Sequence, residues 1–273
     1  MRFMIIRKSA ENTEAGQQPS QELVTAMVGF HEQLARAGIL KDGAGLKPSS
    51  VSTRVRLKGK QFSVIDGPFA ETKELVAGYS IIEVPSREDA LAIMRRWPVE
   101  DGDVELELRQ LYGAEDFPAS ADAAAGPPPP PPAPPARQPG TVRYALLIKS
   151  DARTESGAPP DPEVIQAMDG LVADVAASGA MLGGEGLKPS SLGLKLRRAR
   201  ARVTIVDGPF TESKEMIAGF SFLQYQSKQE AIDFAKRWLQ IHVAWSGTGE
   251  GEIEIRPFYE AEDFVHQPAV ATG

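Results

Sequence analysis

Apolar runs and helical stripes alternate along the chain and predict strands and helices in a regular order. Residues 3–8 form a short apolar run of the kind that makes a buried strand. Apolar residues then recur at helical spacing and predict a helix with one face on a sheet: Leu23, Met27, Phe30 and Leu34. Ser20 is suited to cap the start of this helix, and Gly38 to end it in a left-handed conformation.

The segments that follow have the composition and alternation of strands. They comprise a strand beginning near Ile39, a hairpin of residues 51–58 and 60–65, a third core strand at 75–84 and a last strand at 104–112. Ser86 and Asp89 have the spacing of a capping box. They predict a second helix that ends near Trp97.

The whole pattern occurs twice. Arg2 aligns with Arg143, and this offset of 141 residues holds without a gap as far as Trp97 and Trp238. Two motifs repeat in this register: Gly-Leu-Lys-Pro-Ser-Ser at 45–50 and 186–191, and Asp-Gly-Pro-Phe at 66–69 and 207–210. The second copy then has six additional residues, which place His242 in a predicted long loop.

The duplication predicts two domains, at residues 1–117 and 141–265, followed by a flexible tail at 266–273. Residues 118–140 between them contain six consecutive prolines and predict a polyproline spacer. At about 3.1 Å per residue, such a spacer reaches about 70 Å when fully extended. This length lets the two copies pack in either orientation.

Each copy has the order βαββαβ with a hairpin inserted between its second and third core strands, which is the ferredoxin-like arrangement. Helices then cover only one face of each sheet, so the other face needs a cover. We therefore predict an α+β protein in which two ferredoxin-like repeats pack as a pseudo-dimeric α/β barrel. Pairing between chains and further homo-oligomerisation stay open at this point.

Composition narrows the possible functions. With 42% hydrophobic and 25% charged residues, the chain is typical of a globular protein. It has no cysteine, which excludes disulfides, thiolate nucleophiles and cysteine-ligated zinc or iron–sulfur centres. We find neither a signal peptide nor an apolar run of membrane-spanning length, and predict a cytoplasmic protein without a membrane partner. A net charge of -7 opposes nucleic-acid binding.

The repeated motifs carry a family resemblance. Residues 66–69, followed by Glu71-Thr72-Lys73-Glu74 and Gly78-Tyr79, resemble the DGPF group of YCII-related proteins. The second copy resembles it through 207–210 and Glu212-Ser213-Lys214-Glu215. The resemblance implies a dimeric α/β barrel, mostly bacterial, often encoded beside extracytoplasmic-function sigma factors and largely without an assigned activity.

A histidine–aspartate pair has been proposed as a catalytic centre in related YCII proteins. This sequence departs from that pattern, because His31, which we interpret as a partly exposed helix residue, has Val172 as its counterpart in the second copy, and His266 lies in the tail. A histidine mechanism common to both copies is therefore not expected. The histidines have no metal-ligand spacing, and the chain has no phosphate-loop or dinucleotide motif, so we predict neither metal nor cofactor.

Asp66 and Asp207 are the candidate catalytic residues. An aspartate at the end of a strand and next to Gly-Pro can direct its carboxylate into a cavity, where it acts as a general base. The structural alternative is an aspartate that caps its own turn, whose geometry Gly-Pro fixes.

The candidate ligand-binding residues are Glu107, Arg109, Glu254, Arg256, Lys47 and Lys188. The glutamates and arginines alternate with apolar residues on the last strands, so their charged face looks into the barrel or its mouth if the apolar face meets the helices. Such a pair binds an anion or exchanges protons. The alternatives are an ion pair that ties the sheets together, a solvated edge strand, and lysines that are solvated or paired with nearby glutamates.

Three functions fit these residues. The first is a small-molecule-binding barrel for an anionic metabolite, with the regulatory role that the sigma-factor link of the resemblance implies. The second is a cofactor-independent acid–base enzyme of the isomerase or lyase type with Asp66 or Asp207 as base. The third is a protein-interaction module.

Overall fold

The computed structural model describes residues 1–69, 75–116, 136–200, 202–210 and 215–264. In this part of the chain the first repeat contains β1 Arg2–Lys8, α1 Glu11–Glu14, α2 Gln21–Arg36, β2 Leu40–Gly45, β3 Thr53–Lys58, β4 Gln61–Asp66, β5 Val76–Glu83, α3 Arg87–Arg95 and β6 Val104–Gln110. The second contains β7 Val142–Lys149, α4 Ala152–Glu155, α5 Pro162–Ala177, β8 Met181–Gly186, β9 Leu194–Ala199, β10 Arg202–Asp207, β11 Ile217–Tyr225, α6 Lys228–Ser246 and β12 Glu250–Pro257.

Several predictions fall on residues outside these ranges. They concern the acidic segments after the two Asp-Gly-Pro-Phe loops, most of the proline-rich linker, and the C-terminal tail with His266.

Helix ends follow the capping residues in the sequence. The Ser20 hydroxyl accepts a hydrogen bond from the Leu23 N–H at the start of α2. Gly38 and Gly179 both have φ of 72° just after α2 and α5, as predicted for left-handed caps. At the start of α6, Ser227 forms the predicted reciprocal capping box.

Helix α6 is longer than predicted. It continues past Trp238 to Ser246, so the prediction that His242 lies in a long loop is wrong. The physical reason is that Ala235, Leu239 and His242 form one continuous buried stripe at helical spacing, which the additional residues extend. Gly247, with φ of 67°, ends the helix.

Twelve strands in the described residues form two antiparallel sheets of six. The first sheet has the order β10-β9-β6-β1-β5-β2, and the second has the order β4-β3-β12-β7-β11-β8. Each sheet takes its outer hairpin from the other repeat, because β9 of the second repeat pairs with β6 and β3 of the first repeat pairs with β12. The predicted α+β class is confirmed, but the inserted hairpins lie in the sheet of the opposite repeat.

Charge and apolar patterns match across these exchanged pairs. In the first sheet Glu107 lies opposite Lys195 and Leu106 opposite Leu196. In the second sheet the same positions pair Glu254 with Arg54. Opposite charges on one face and apolar side chains on the other stabilise the pairing.

Three cores hold the layers together. The first lies between the first sheet and its helices and includes Ile5 and Leu106, and the second lies in the same place in the other repeat. The third is formed by residues of both repeats, among them Met4 and Phe222, so the two sheets pack face to face. Tyr79 of the first repeat stacks on Phe222 with ring centroids 4.7 Å apart.

Two isolated bridges connect the sheets at their ends. Leu46, which follows β2, pairs with Phe258, which follows β12. Leu111, which follows β6, pairs with Leu187, which follows β8. The backbones of the two repeats are thus hydrogen-bonded to each other through two exchanged hairpins and through these two bridges.

Within the described residues, we find no helix that is both long and apolar enough to span a membrane.

Candidate functional site

The last strand of each repeat places its charged residues between the sheets. In β6, Leu106 and Leu108 pack in the core with the helices, whereas Glu107 and Arg109 lie on the other face and are fully buried. Strand alternation produces this arrangement, as predicted. The alternative of a solvated edge strand is therefore wrong for these residues.

We call the ion pairs around β6 the first charged cluster, formed by Lys8, Glu107, Arg109 and Glu155. Glu107 is held by the Lys8 ammonium at 2.8 Å and by the Arg109 guanidinium at 3.2 Å. Arg109 also contacts Glu155 of the second repeat at 3.4 Å. A carboxylate this deeply buried is paired on both oxygens, which offsets the cost of removing it from water.

The second charged cluster, around β12, repeats this arrangement with Lys149, Glu254, Arg256, Glu14 and Arg54. Lys149 lies 3.2 Å and Arg256 2.9 Å from Glu254, and Arg256 also contacts Glu14 of the first repeat at 3.2 Å. Arg54, on the exchanged strand β3, adds a further pair with Glu254 at 2.8 Å. Each cluster is thus completed by residues of the opposite repeat.

The neighbouring cations keep both buried carboxylates ionised. Burial by itself would raise the pKa of Glu107, but the charges of Lys8 and Arg109 outweigh it and lower the pKa to about 2. For Glu254 the charges of Lys149 and Arg256 likewise outweigh burial and lower the pKa to about 2. Carboxylates this acidic are weak bases at neutral pH, so the clusters supply fixed charge and are poorly suited to proton transfer.

Lys47 and Lys188 contact the clusters through their backbones. The Lys188 carbonyl accepts a 2.6 Å hydrogen bond from Arg109, and the Lys47 carbonyl accepts one of 3.0 Å from Arg256. Their ammonium groups form ion pairs of 2.7 Å with Asp116 and Asp263, each in the opposite repeat. Sequence reasoning missed these partners, although both belong to a Glu-Asp-Phe segment that occurs in each repeat, at residues 115–117 and 262–264.

Asp66 and Asp207 lie at the protein surface, with side chains 66% and 71% exposed. Asp66 accepts hydrogen bonds from the Lys228 ammonium at 2.8 Å and from the hydroxyl of Thr53 at 2.5 Å, and these bonds lower its pKa. Asp207 forms an ion pair with Arg87. Lys228 and Arg87 are the first residues of α6 and α3, so each aspartate ties an exchanged hairpin to a helix of the opposite repeat.

The two repeated motifs contact each other within each copy. The Ser49 hydroxyl accepts a 3.1 Å hydrogen bond from the N–H of Phe69, and Ser190 does the same for Phe210 at 3.2 Å. A Cβ atom on Gly67 would overlap the Ser49 carbonyl oxygen. Glycine is required there because the loop and the turn lie in backbone contact.

A pocket of about 190 Å³ opens at the end of the first sheet, where β1 and β9 end and β6 begins. Its charged lining comprises Arg7, Lys8, Asp103, Glu105, Arg197 and Arg198. Lys8 also belongs to the first charged cluster, so the pocket lies at the edge of that cluster. None of the predicted site residues lines it.

Most cations of the pocket are held by other groups. Arg7 binds the Asp101 carboxylate, with its closest contact at 2.6 Å, and Arg198 donates to three backbone carbonyls, the shortest bond being 2.6 Å to Pro98. Arg197 is exposed, and it forms no ion pair with any residue that the structure describes. It is therefore the lining cation that is most available to a ligand.

The second repeat has a histidine–aspartate pair near the place that corresponds to this pocket, since Ala10 is one of the pocket's lining residues. Asp151, which aligns with Ala10, accepts a 3.0 Å hydrogen bond from the His242 ring. The His242 ring stacks on Trp238 at 4.8 Å between centroids. Burial would raise the pKa of Asp151, but the bonds from His242 and Thr154 lower it to about 2. The pair was missed because the helical extension that carries His242 was read as a loop.

Among the described residues, we find no group of three or more histidines, aspartates and glutamates placed to hold a metal ion.

Comparison with known proteins finds a family match for the first repeat. Residues 1–107 match the family model of the YCII-related domain, which confirms the predicted resemblance. An uncharacterized protein of Rhizobium meliloti (strain 1021) is 27% identical over 116 residues, which are 42% of this chain and 90% of that protein.

Proposed function

We propose that this chain, whose first repeat is a YCII-related domain, binds a small anionic metabolite in the pocket at the end of the first sheet. The observation that carries the proposal is the lining: four cationic side chains face two acidic ones, and Arg197 has no acidic partner among the described residues. A carboxylate or phosphate forms charge-assisted, often bidentate hydrogen bonds with arginine.

The pocket volume limits the ligand. The open pocket has a volume of about 190 Å³. This space suits a small carboxylate or phosphate compound and is below the range of about 300–1,000 Å³ that is typical of drug-sized ligands.

Small-molecule binding is favoured over acid–base catalysis. The predicted bases Asp66 and Asp207 are exposed and do not line the pocket, while the pKa of Glu107 is too low for a base at neutral pH. The isomerase or lyase hypothesis therefore stays a prediction, as does the link to sigma-factor regulation.

We also propose that the two sheets close into the pseudo-dimeric barrel of the DGPF group. The face-to-face core and the bridges at Leu46 and Leu111 support this closure. The lack of cysteine is compatible with the cytoplasm, where we place the protein.

Isothermal titration calorimetry with inorganic phosphate and a panel of small mono- and dicarboxylates tests the binding proposal. We expect at least one of these anions to bind, and Arg197→Ala to weaken its binding by about tenfold or more, the effect of one lost charge-assisted contact. Arg56→Ala is the matched control, because Arg56 occupies the repeat-related position and pairs with Glu252 at 2.6 Å. Equal affinities in the two variants, or no anion bound by the wild type, would overturn the proposal.

A further inference from the structure

Strand β10 forms an exposed outer edge of the first sheet. Each of its six residues is exposed, and within the described residues it pairs with β9 alone. Val203, Ile205 and Val206 are exposed to 47%, 36% and 58%, which is unusual for β-branched apolar side chains on one short strand.

This edge lacks the features that keep other edges unpaired. β10 contains neither proline nor a bulge, and its register with β9 is regular from Arg202 to Asp207. An exposed edge strand with a regular register presents a row of backbone N–H and C=O groups that accept another strand. In β-augmentation, such an edge binds an extended peptide through its main chain.

The two faces of β10 differ in chemistry. Val203 and Ile205 lie beside Arg198 and Leu196, so they extend the apolar face on which α3 packs. Arg202 lies on the other face, together with Thr204, which is paired with Arg197. A strand added to this edge would therefore meet apolar side chains on one face and arginines on the other.

The positive charges near the edge have no acidic partners. Arg197, Arg200 and Arg202 form no side-chain ion pair with any residue in the described ranges, although the chain carries a net charge of -7. Unneutralised arginines at an open edge attract acidic groups.

The inner edge of the same hairpin shows which strand it accepts. There β9 pairs with β6, in which acidic and apolar residues alternate: Glu105 lies opposite Arg197, Leu106 opposite Leu196 and Glu107 opposite Lys195. The hairpin thus already binds one acidic–apolar strand of this chain. Its outer edge offers Arg202 next to the β-branched residues Val203, Ile205 and Val206, of which Val206 lies on the same face as Arg202.

From this arrangement we infer that β10 docks an extended segment of a partner protein in which acidic and apolar residues alternate. The segment adds as an antiparallel strand, its apolar residues contact Val203 and Ile205, and its carboxylates face Arg202 and Arg197. A second copy of this chain is a poorer occupant, because pairing of two β10 strands brings the unpaired arginines of both copies together. The inference does not rest on ligand binding in the pocket, although Arg197 belongs to both sites; the variants that test it therefore change Arg200 and Arg202 and leave Arg197 in place.

A synthetic peptide of alternating glutamate and valine, about ten residues long as is common for strands, is the probe. We expect the full-length protein to bind it, with the amides of β10 gaining protection from hydrogen exchange. Arg200→Glu combined with Arg202→Glu should weaken binding by about tenfold or more, since two attractions become repulsions. The matched control combines Gln61→Glu, the repeat counterpart of Arg202 at the start of β4, with Lys60→Glu in the turn before it. This variant changes the repeat-related edge and should bind the peptide like the wild type.

Val203→Glu provides a second test on the same edge if the double charge reversal does not fold, as judged by circular dichroism. It should weaken binding, because its carboxylate repels the glutamates of the peptide. The inference is overturned if the wild type does not bind the peptide, if the β10 variants and the β4 control bind it equally, or if a block peptide of the same composition binds as well. Wild-type self-association that the same β10 variants abolish would assign the edge to a second copy. Preferred binding of a single-stranded DNA oligonucleotide would assign it to nucleic acid, and either result refutes the acidic-peptide partner.

Discussion

The Arg109 guanidinium donates a 2.6 Å hydrogen bond to the backbone carbonyl of Lys188, so the last strand of the first repeat is bonded to the Leu-Lys-Pro turn of the second. Arg256 and Lys47 repeat this contact in the opposite direction at 3.0 Å. Two sequence motifs that are distant along the chain therefore meet only when both repeats are folded together. This contact gives the arginine of the last strand and the Leu-Lys-Pro turn a structural role that requires no ligand.

Replacing Arg109 should destabilise the protein strongly. Arg109→Met leaves Glu107 buried with Lys8 as its remaining close cation, and removing one member of a buried ion pair costs about 3–5 kcal/mol. Urea denaturation measures the change. Arg36→Met, which removes an exposed pair with Glu32, should change the free energy of unfolding by less than about 1 kcal/mol. Similar values for the two variants would show that the first charged cluster does not hold the repeats together.

The free energy of unfolding should fall as the pH is lowered from 4.5 toward 2. Glu107 and Glu254 have a pKa of about 2 in the folded protein against an ordinary 4.5. Because the folded value is the lower one, their contribution is complete above pH 4.5 and is lost as the pH falls toward 2. Urea unfolding across this range measures the slope, which should be smaller in Glu107→Gln than in the wild type. An unchanged slope would contradict the depressed pKa of Glu107.

Most of the strands and long helices, and the face on which charge lies, could be predicted from the sequence, whereas the short helices α1 and α4 and the extension of α6 were not. The alternation in β6 correctly predicted that Glu107 and Arg109 lie on the face away from the helices, on which Leu106 and Leu108 do not lie. Neighbouring residues of a strand point to opposite faces, so this prediction needs only the local sequence. Helix caps such as Ser20 are local in the same way.

Contacts between the repeats could not be predicted in this way. The exchange of the hairpins depends on which sheet edge β9 reaches, and the charges on Lys195 and Glu107 are compatible with pairing inside or between repeats. The pocket depends on the ends of three strands that are distant in sequence, so Arg197 was not recognised as a candidate. His242 was misplaced because an insertion extended a helix instead of a loop.

The two loop glycines should tolerate no side chain. Gly67→Ala and Gly208→Ala each place a Cβ onto a backbone carbonyl oxygen, of Ser49 or Ser190, and should cost about 1–3 kcal/mol or more. The controls are Gly29→Ala and Gly170→Ala within helices, where a Cβ meets no neighbouring atom; these should stabilise the protein by about 0.5–1 kcal/mol. Thermal unfolding of the four variants checks the expected loss of stability in the loops and the expected gain in the helices. Unchanged stability in Gly67→Ala would refute the tight contact between loop and turn.

Cleavage between the repeats should leave the protein assembled. The exchanged hairpins, the bridge between Leu111 and Leu187, and the ion pairs of Arg109 and Arg256 with the opposite repeat connect the halves without the linker. A protease site inserted within residues 118–135 allows the test on the folded chain. After complete cleavage the two fragments should elute together from a sizing column and separate only in denaturant. Adding Arg109→Met and Arg256→Met should promote their dissociation, whereas Arg36→Met should not, because Arg36 pairs with Glu32 on its own helix. Fragments that separate under native conditions without these substitutions would show that each repeat can exist alone, and that the exchanged hairpins contribute little to the fold.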